Sequence, residues 1–102
     1  MKSIIIYVTH KNLKEAKKIG SYLLQKGLIA CANYFPIESA SRWTGKIVTV
    51  KEAVSVLKTS KKNWHKVEKE IEKIHPYKVP CIMKIEVEAN KSYAKWIQKE
   101  TI

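Results

Sequence analysis

Two prolines within five residues, Pro76 and Pro80, stand between a helical pattern and a strand pattern. Each locks its own φ near about −65° and turns the residue before it, His75 or Val79, away from helical dihedrals. The stretch His75-Pro76-Tyr77-Lys78-Val79-Pro80 is therefore a stiff, extended connector. It forces a helix to stop and a strand to start. It can also hold an imidazole and a phenol in set positions beside that strand, which makes His75 and Tyr77 candidate site residues. The plainer reading is a helix stop with Tyr77 packed as a plug and its hydroxyl hydrogen-bonded.

Before the connector, Ser3 to Thr9 (SIIIYVT) is a run of β-branched residues and tyrosine, the mark of a strand covered on both faces. Asn12 followed by Glu15 predicts a capped helix start, Leu13, Ala16, Ile19, Leu23 and Leu24 recur at helical spacing, and Gly27 ends the helix. Leu28 to Ile37 is a second strand, with Pro36 implying an edge, bulge or bend. Glu38 to Gly45 is short of apolar residues apart from Trp43, and Gly45 reads as a turn. Ile47 to Leu57 is a third strand, with Val48, Val50, Val54 and Val56 on one face, interrupted by Glu52. The second and third strands form one long hairpin that would overhang a small domain unless another chain covered it.

Ser60 can cap a second helix whose seam is Trp64, Val67, Ile71 and Ile74, with His65 exposed beside it. After the connector, Cys81, Met83, Ile85, Val87 and Ala89 alternate with Lys84, Glu86 and Glu88, with Ile82 the only break. Asn90 can cap a last helix with Tyr93, Trp96 and Ile97 on one patch. Strand, helix, strand, strand, helix, strand is the split βαβ, ferredoxin-like α+β order over a single domain, residues 1–102, with an antiparallel sheet and an added C-terminal helix. Right-handed crossovers place both main helices on one face. The other face keeps apolar residues that nothing in the chain covers, so a second subunit is expected there.

Charge narrows the function. The net charge is +11, yet of 20 basic residues only Arg42 is arginine, and all nine acids are glutamate. Lysine spread over helices is a solvated coat rather than a base-reading surface, so nucleic acid is not the expected partner. RNA-recognition modules share this topology, but Ile47 to Leu57 carries none of the aromatics they stack on bases. No apolar run approaches the ~20 residues of a membrane span, and no signal-peptide pattern is present. Cys31 and Cys81 make no CxxC, and the reading is a cytoplasmic protein with free thiols.

Ala30-Cys31-Ala32-Asn33, Trp43-Thr44-Gly45-Lys46-Ile47, Leu57-Lys58-Thr59, the connector itself and Tyr93-Ala94-Lys95-Trp96-Ile97 together resemble the CutA family of divalent-cation tolerance proteins over essentially the whole chain. The resemblance implies a cytoplasmic homotrimer similar in build to the PII signalling proteins, non-enzymatic, linked to divalent-cation tolerance and, in some members, to copper binding. Val8 and Ile74 stand at positions that hold copper ligands in some relatives, which leaves His75 of that set. Lys78 and Cys81 stand where many relatives carry glutamate, and Ser41 where a tyrosine is common. The candidate metal ligands, for Cu²⁺ or another divalent cation, are therefore His75, with Cys31 or Cys81 as thiolates drawn from across a subunit boundary. Trp43 and Tyr77 are expected at a subunit boundary or cleft. Lys46, Lys58 and Lys78 would line that cleft, where a small anion or nucleotide is the alternative ligand.

Overall fold

The structure, a computed structural model, describes residues 2–102. Its order is β1 (Ser3–His10), α1 (Leu13–Gln25), β2 (Cys31–Trp43), β3 (Lys46–Ser60), a 3₁₀ turn (Lys61–Asn63) leading into α2 (Trp64–Ile74), β4 (Ile82–Val87) and α3 (Lys91–Glu100). The four strands form one antiparallel sheet in the order β2-β3-β1-β4. This is the ferredoxin-like α+β arrangement with a C-terminal helix added.

Alternation along β1 sends Ile4, Ile6 and Val8 to one face, where all three are fully buried. Ile19 and Leu23 of α1, Leu57 of β3, and Val67 and Ile71 of α2 meet them there. The outer positions of the helical seams fare differently: Leu13, Leu24 and Ile74 remain partly in solvent. Asn12 caps α1 as the spacing requires, its Oδ1 accepting from the Glu15 N–H at 2.9 Å. Gly27 ends the helix region at φ +71°, a left-handed conformation that glycine adopts without steric cost.

Several boundaries depart from the sequence reading. β2 starts later and runs on to Trp43, because Ser39, Ala40 and Ser41 pair with Val50, Thr49 and Val48 of β3. Ladder pairing here overrides the low strand preference of those residues. Leu28 and Ile29 belong instead to a buried loop. Pro36 sits on β2, an edge strand, the kind of position where a sheet tolerates a residue without an N–H. Ser60 makes no side-chain cap; the 3₁₀ turn intervenes, and Asn63 turns inward, donating to Thr59 Oγ1 at 3.2 Å. In β4 the alternating set Met83 and Ile85 faces away from the helices. Ile82, the break in the pattern, is the residue packed on the core, opposite Val8. Lys84 and Glu86 take the helix side, over the Trp64 ring and 2.9 Å from Lys61 Nζ.

β1 pairs only with Ala53–Ser60 of β3. Residues 46–52 pair with β2 alone and project as a two-stranded arm, and the molecule extends 45 × 24 × 21 Å. The arm turns at Thr44 and Gly45, both at positive φ, as a two-residue hairpin turn demands. On the second sheet face α3 reaches β3 at one end, where Lys58 Nζ lies 5.5 Å from the Tyr93 ring centre, and Val54, nearer the connector, is fully buried.

One close approach fixes the seat of α1 on β2. A Cβ on Gly20 would run into the Tyr34 hydroxyl and lie 2.9 Å from its Cζ. Gly20→Ala should therefore destabilise the fold by about 1–3 kcal/mol in urea unfolding, despite alanine's better helix propensity. Tyr34→Phe, which removes the clashing oxygen, should recover part of that loss.

Candidate functional site

The connector leaves α2 at His75, which closes the helix with its N–H on the Ile71 carbonyl at 2.8 Å and turns extended at ψ 132°. His75 is buried, and both ring nitrogens are occupied within the chain. Nε2 donates to the Thr9 carbonyl at 2.8 Å, and Nδ1 accepts from the Tyr77 N–H at 3.1 Å. The Tyr77 ring meets the His75 ring edge-on at 4.7 Å between centroids. The Tyr77 hydroxyl reaches over the sheet and donates to Glu52 Oε2 at 2.5 Å. Burial first, then that carboxylate's bond and charge, hold the phenol well above its usual pKa, so it remains a donor.

Tyr77, Lys78, Cys81, Glu52, Tyr7 and Trp43 help to line one open cleft of about 880 Å³ between the connector and the arm. Four of these six are residues singled out from the sequence. Others lie elsewhere. Cys31 and Lys58 pair with each other at the far end of the sheet, beside α3. Lys46 is at the arm's tip, opposite Trp43. Within one chain, His75, Cys31 and Cys81 do not converge, and no group of three metal-ligating side chains occurs among the described residues. Sequence reasoning missed the partners Thr9, Glu52 and His10. Glu52 had left a trace, as the one charge interrupting a valine stripe. His10 only continues the inward alternation of Ile4, Ile6 and Val8.

Fold and cleft together define a ferredoxin-like protein with an overhanging β-arm and a proline-bounded connector latched beneath it. The chain belongs to the family of the CutA1 divalent ion tolerance protein, whose model matches residues 4–100. The divalent-cation tolerance protein CutA of Pyrococcus horikoshii is 39% identical over 99 residues, spanning 96% of this chain and 97% of its own length. The crystal structure of CutA1 from that organism superposes with a TM-score of 0.93 at 38% identity, over 97% of this chain and 98% of the other. The structure titled as the periplasmic divalent cation tolerance protein CutA of Archaeoglobus fulgidus gives 0.94 at 37% identity, over 96% and 97%. Protein CutA, chloroplastic, of Arabidopsis thaliana is 30% identical, covering 97% of this chain and 56% of its own.

The Tyr77–Glu52 bond joins the connector to the base of the arm. Tyr77→Phe should cost about 1–3 kcal/mol in chemical denaturation, since it leaves a half-buried carboxylate without its donor. A loss below about 0.5 kcal/mol would show that water replaces the phenol freely.

Proposed function

We propose that this chain works as a homotrimeric, non-enzymatic divalent-cation tolerance protein in which each arm lies against a neighbouring subunit. The observation that carries this reading is the uncovered face of arm and sheet. Trp43 is 58% exposed, Val50 44%, Met83 52% and Ile85 53%, all on the face away from the main helices. A two-stranded ribbon is marginal alone in water, and an apolar surface of this kind is expected to be buried against a partner. Both outer strands, β2 and β4, also end the sheet without a neighbour, so backbone donors and acceptors are available for pairing. The number three is taken from the family resemblance, and on this reading Trp43, Lys46, Lys58, Tyr77 and Lys78 lie at subunit boundaries or in the clefts between them.

Sedimentation equilibrium at micromolar concentration should give a species three times the 11.8 kDa chain mass. Val50→Glu, which puts a charge on the apolar face of the arm, should shift it to monomer. A wild-type monomer would sink the reading.

For the cation, the donors of a single chain do not make a site. His75 has no free nitrogen, and the thiols of Cys31 and Cys81 lie apart. The copper role proposed for His75 therefore requires a cation to displace Thr9 or Tyr77 and to take further donors from another subunit. Cys81, which lines the cleft beside Tyr77, is one candidate thiol, and Cys31 would have to be presented by a neighbour. Calorimetric titration of Cu²⁺ into wild type and His75→Ala checks this. Heat that vanishes in the variant supports His75. Equal heats, or none in either protein, remove it. The same comparison with nucleotides or inorganic phosphate tests whether Lys46, Lys58 and Lys78 hold an anion instead.

A cytoplasmic location is proposed on the two unpaired cysteines. No helix among the described residues is long and apolar enough to cross a membrane. Cell fractionation, with the relatives titled periplasmic and chloroplastic as the contrasting outcomes, checks it.

A further inference from the structure

At the end of the sheet away from the arm, β3 gives way to the 3₁₀ turn and α3 reaches the same place. A cavity of about 410 Å³ lies there, lined by Lys2, Ser60, Lys61, Lys62 and Gln98. That volume falls within the ~300–1,000 Å³ of small-molecule sites. Every one of these side chains can donate a hydrogen bond: three ammonium groups, a hydroxyl and an amide. None of the described residues lining it is acidic or apolar. Lys61 Nζ also reaches Glu86 Oε2 at 2.9 Å. Three ammonium groups against that one carboxylate leave a surplus of two positive charges.

Ser60 makes this more than a patch of surface lysines. Thr59 sends its hydroxyl to the Leu28 carbonyl on the helix side, so alternation turns Ser60 to the opposite face, where α3 lies. It is 6% exposed there, beside its ladder partner Ser3. It gives no cap to the turn that follows. The polar groups next to it, Thr59 Oγ1 and Asn63 Nδ2, bond each other and the Leu28 carbonyl instead. Among the described residues its hydroxyl is left without a partner, a cost that something in the cavity would remove. The main chain beside it is fixed, with the Lys61 N–H donating to the Lys2 carbonyl at 2.9 Å. We infer that this cavity binds a phosphate group, free or as a monoester, whose oxygens accept from Ser60 Oγ and from the ammonium groups of Lys2, Lys61 and Lys62. Such a group carries about −1.5 to −2 charges near neutral pH, which matches the surplus, and lysine serves it as a point charge. Lys2 also lines a larger cavity of about 780 Å³, but Glu86 and Glu88 line that one too and oppose an anion there. The site goes beyond the cation-tolerance reading and does not rest on it, because all its residues belong to one chain and the cleft lysines are elsewhere.

Isothermal titration of the full chain at low salt tests it, with inorganic phosphate and glycerol 3-phosphate as the two probes. The proteins are wild type, Ser60→Ala, Lys62→Glu, Lys17→Glu and Lys78→Glu. Ser60→Ala removes a hydroxyl that makes no cap bond, and Lys62 is exposed, so both variants should fold. Wild type should bind at least one probe, and the tighter of the two tells whether the site takes the free ion or the ester. Ser60→Ala should weaken binding about tenfold or more, the worth of one hydrogen bond to a charged group. Lys62→Glu should abolish it. Lys17→Glu, the same charge change at an exposed position of α1, should bind as wild type does. Absence of binding with both probes overturns the site. So does binding that Ser60→Ala leaves unchanged, or a loss in Lys17→Glu equal to that in Lys62→Glu, which marks the lysine coat. Loss in Lys78→Glu alone puts the anion in the cleft beside Tyr77 and overturns the site as well.

Discussion

The antiparallel register of β3 is the constraint on which the rest depends. This 15-residue strand lies inside the sheet, yet β1 accompanies it only over its last eight residues. Where it has two neighbours, its alternation is decided by the core: Leu57 and Thr59 point to the helices, and Val54 and Val56 to the other face. That phase is inherited by the free portion, so Val48 and Val50 emerge on the face the helices leave open. A one-residue slip would reverse every side chain and bury Lys58 under α1 and α2. The overhang and its apolar face are one consequence of pairing strands of unequal length.

The connector turns that geometry into a cleft. Thr9 and Val54 are paired in the last rungs before β1 ends. His75 binds Thr9 and Tyr77 binds Glu52, so the connector fastens to both strands at the point where the arm leaves the sheet. The prolines limit its freedom, and two hydrogen bonds choose its position. A stiff segment loses little entropy on being fixed, which lets few contacts hold it. Behind the connector, burial disfavours the charged form of His10, whose Nδ1 has no hydrogen-bond partner, in a chain whose net charge is already +11.

Local signals in the sequence mostly mapped to local structure. Asn12 caps, Gly27 terminates and Gly45 turns, because each acts through its own backbone or within three residues. Two local caps did not form, since neither Ser60 nor Asn90 makes a side-chain cap bond; the other signals that failed were those whose outcome lies across the sheet. Glu38 to Trp43 has weak strand propensity and became strand because β3 offers it a ladder. Met83 and Ile85 alternate as a buried face should, but β4 is an edge strand, and pairing of Ile82 with Val8 points them outward. Of the candidate site residues, the cleft gathers Tyr77, Lys78, Cys81 and Trp43, which lie along the hairpin and connector, and scatters Cys31, Lys46 and Lys58, whose places depend on register.

Composition, periodicity and the paired prolines determined by themselves that this is a split βαβ domain with a long hairpin and a rigid link ahead of its last strand. These properties follow from dihedral preference and apolar spacing, which any short stretch of chain carries with it. Which face of β4 meets the core, that Glu52 is the acceptor for Tyr77, and that His10 stacks on His75 were decided only in the tertiary structure. The stacked rings are 65 positions apart in the chain, and no local preference specifies a pairing at that distance. Strand register and the burial of one sheet face do.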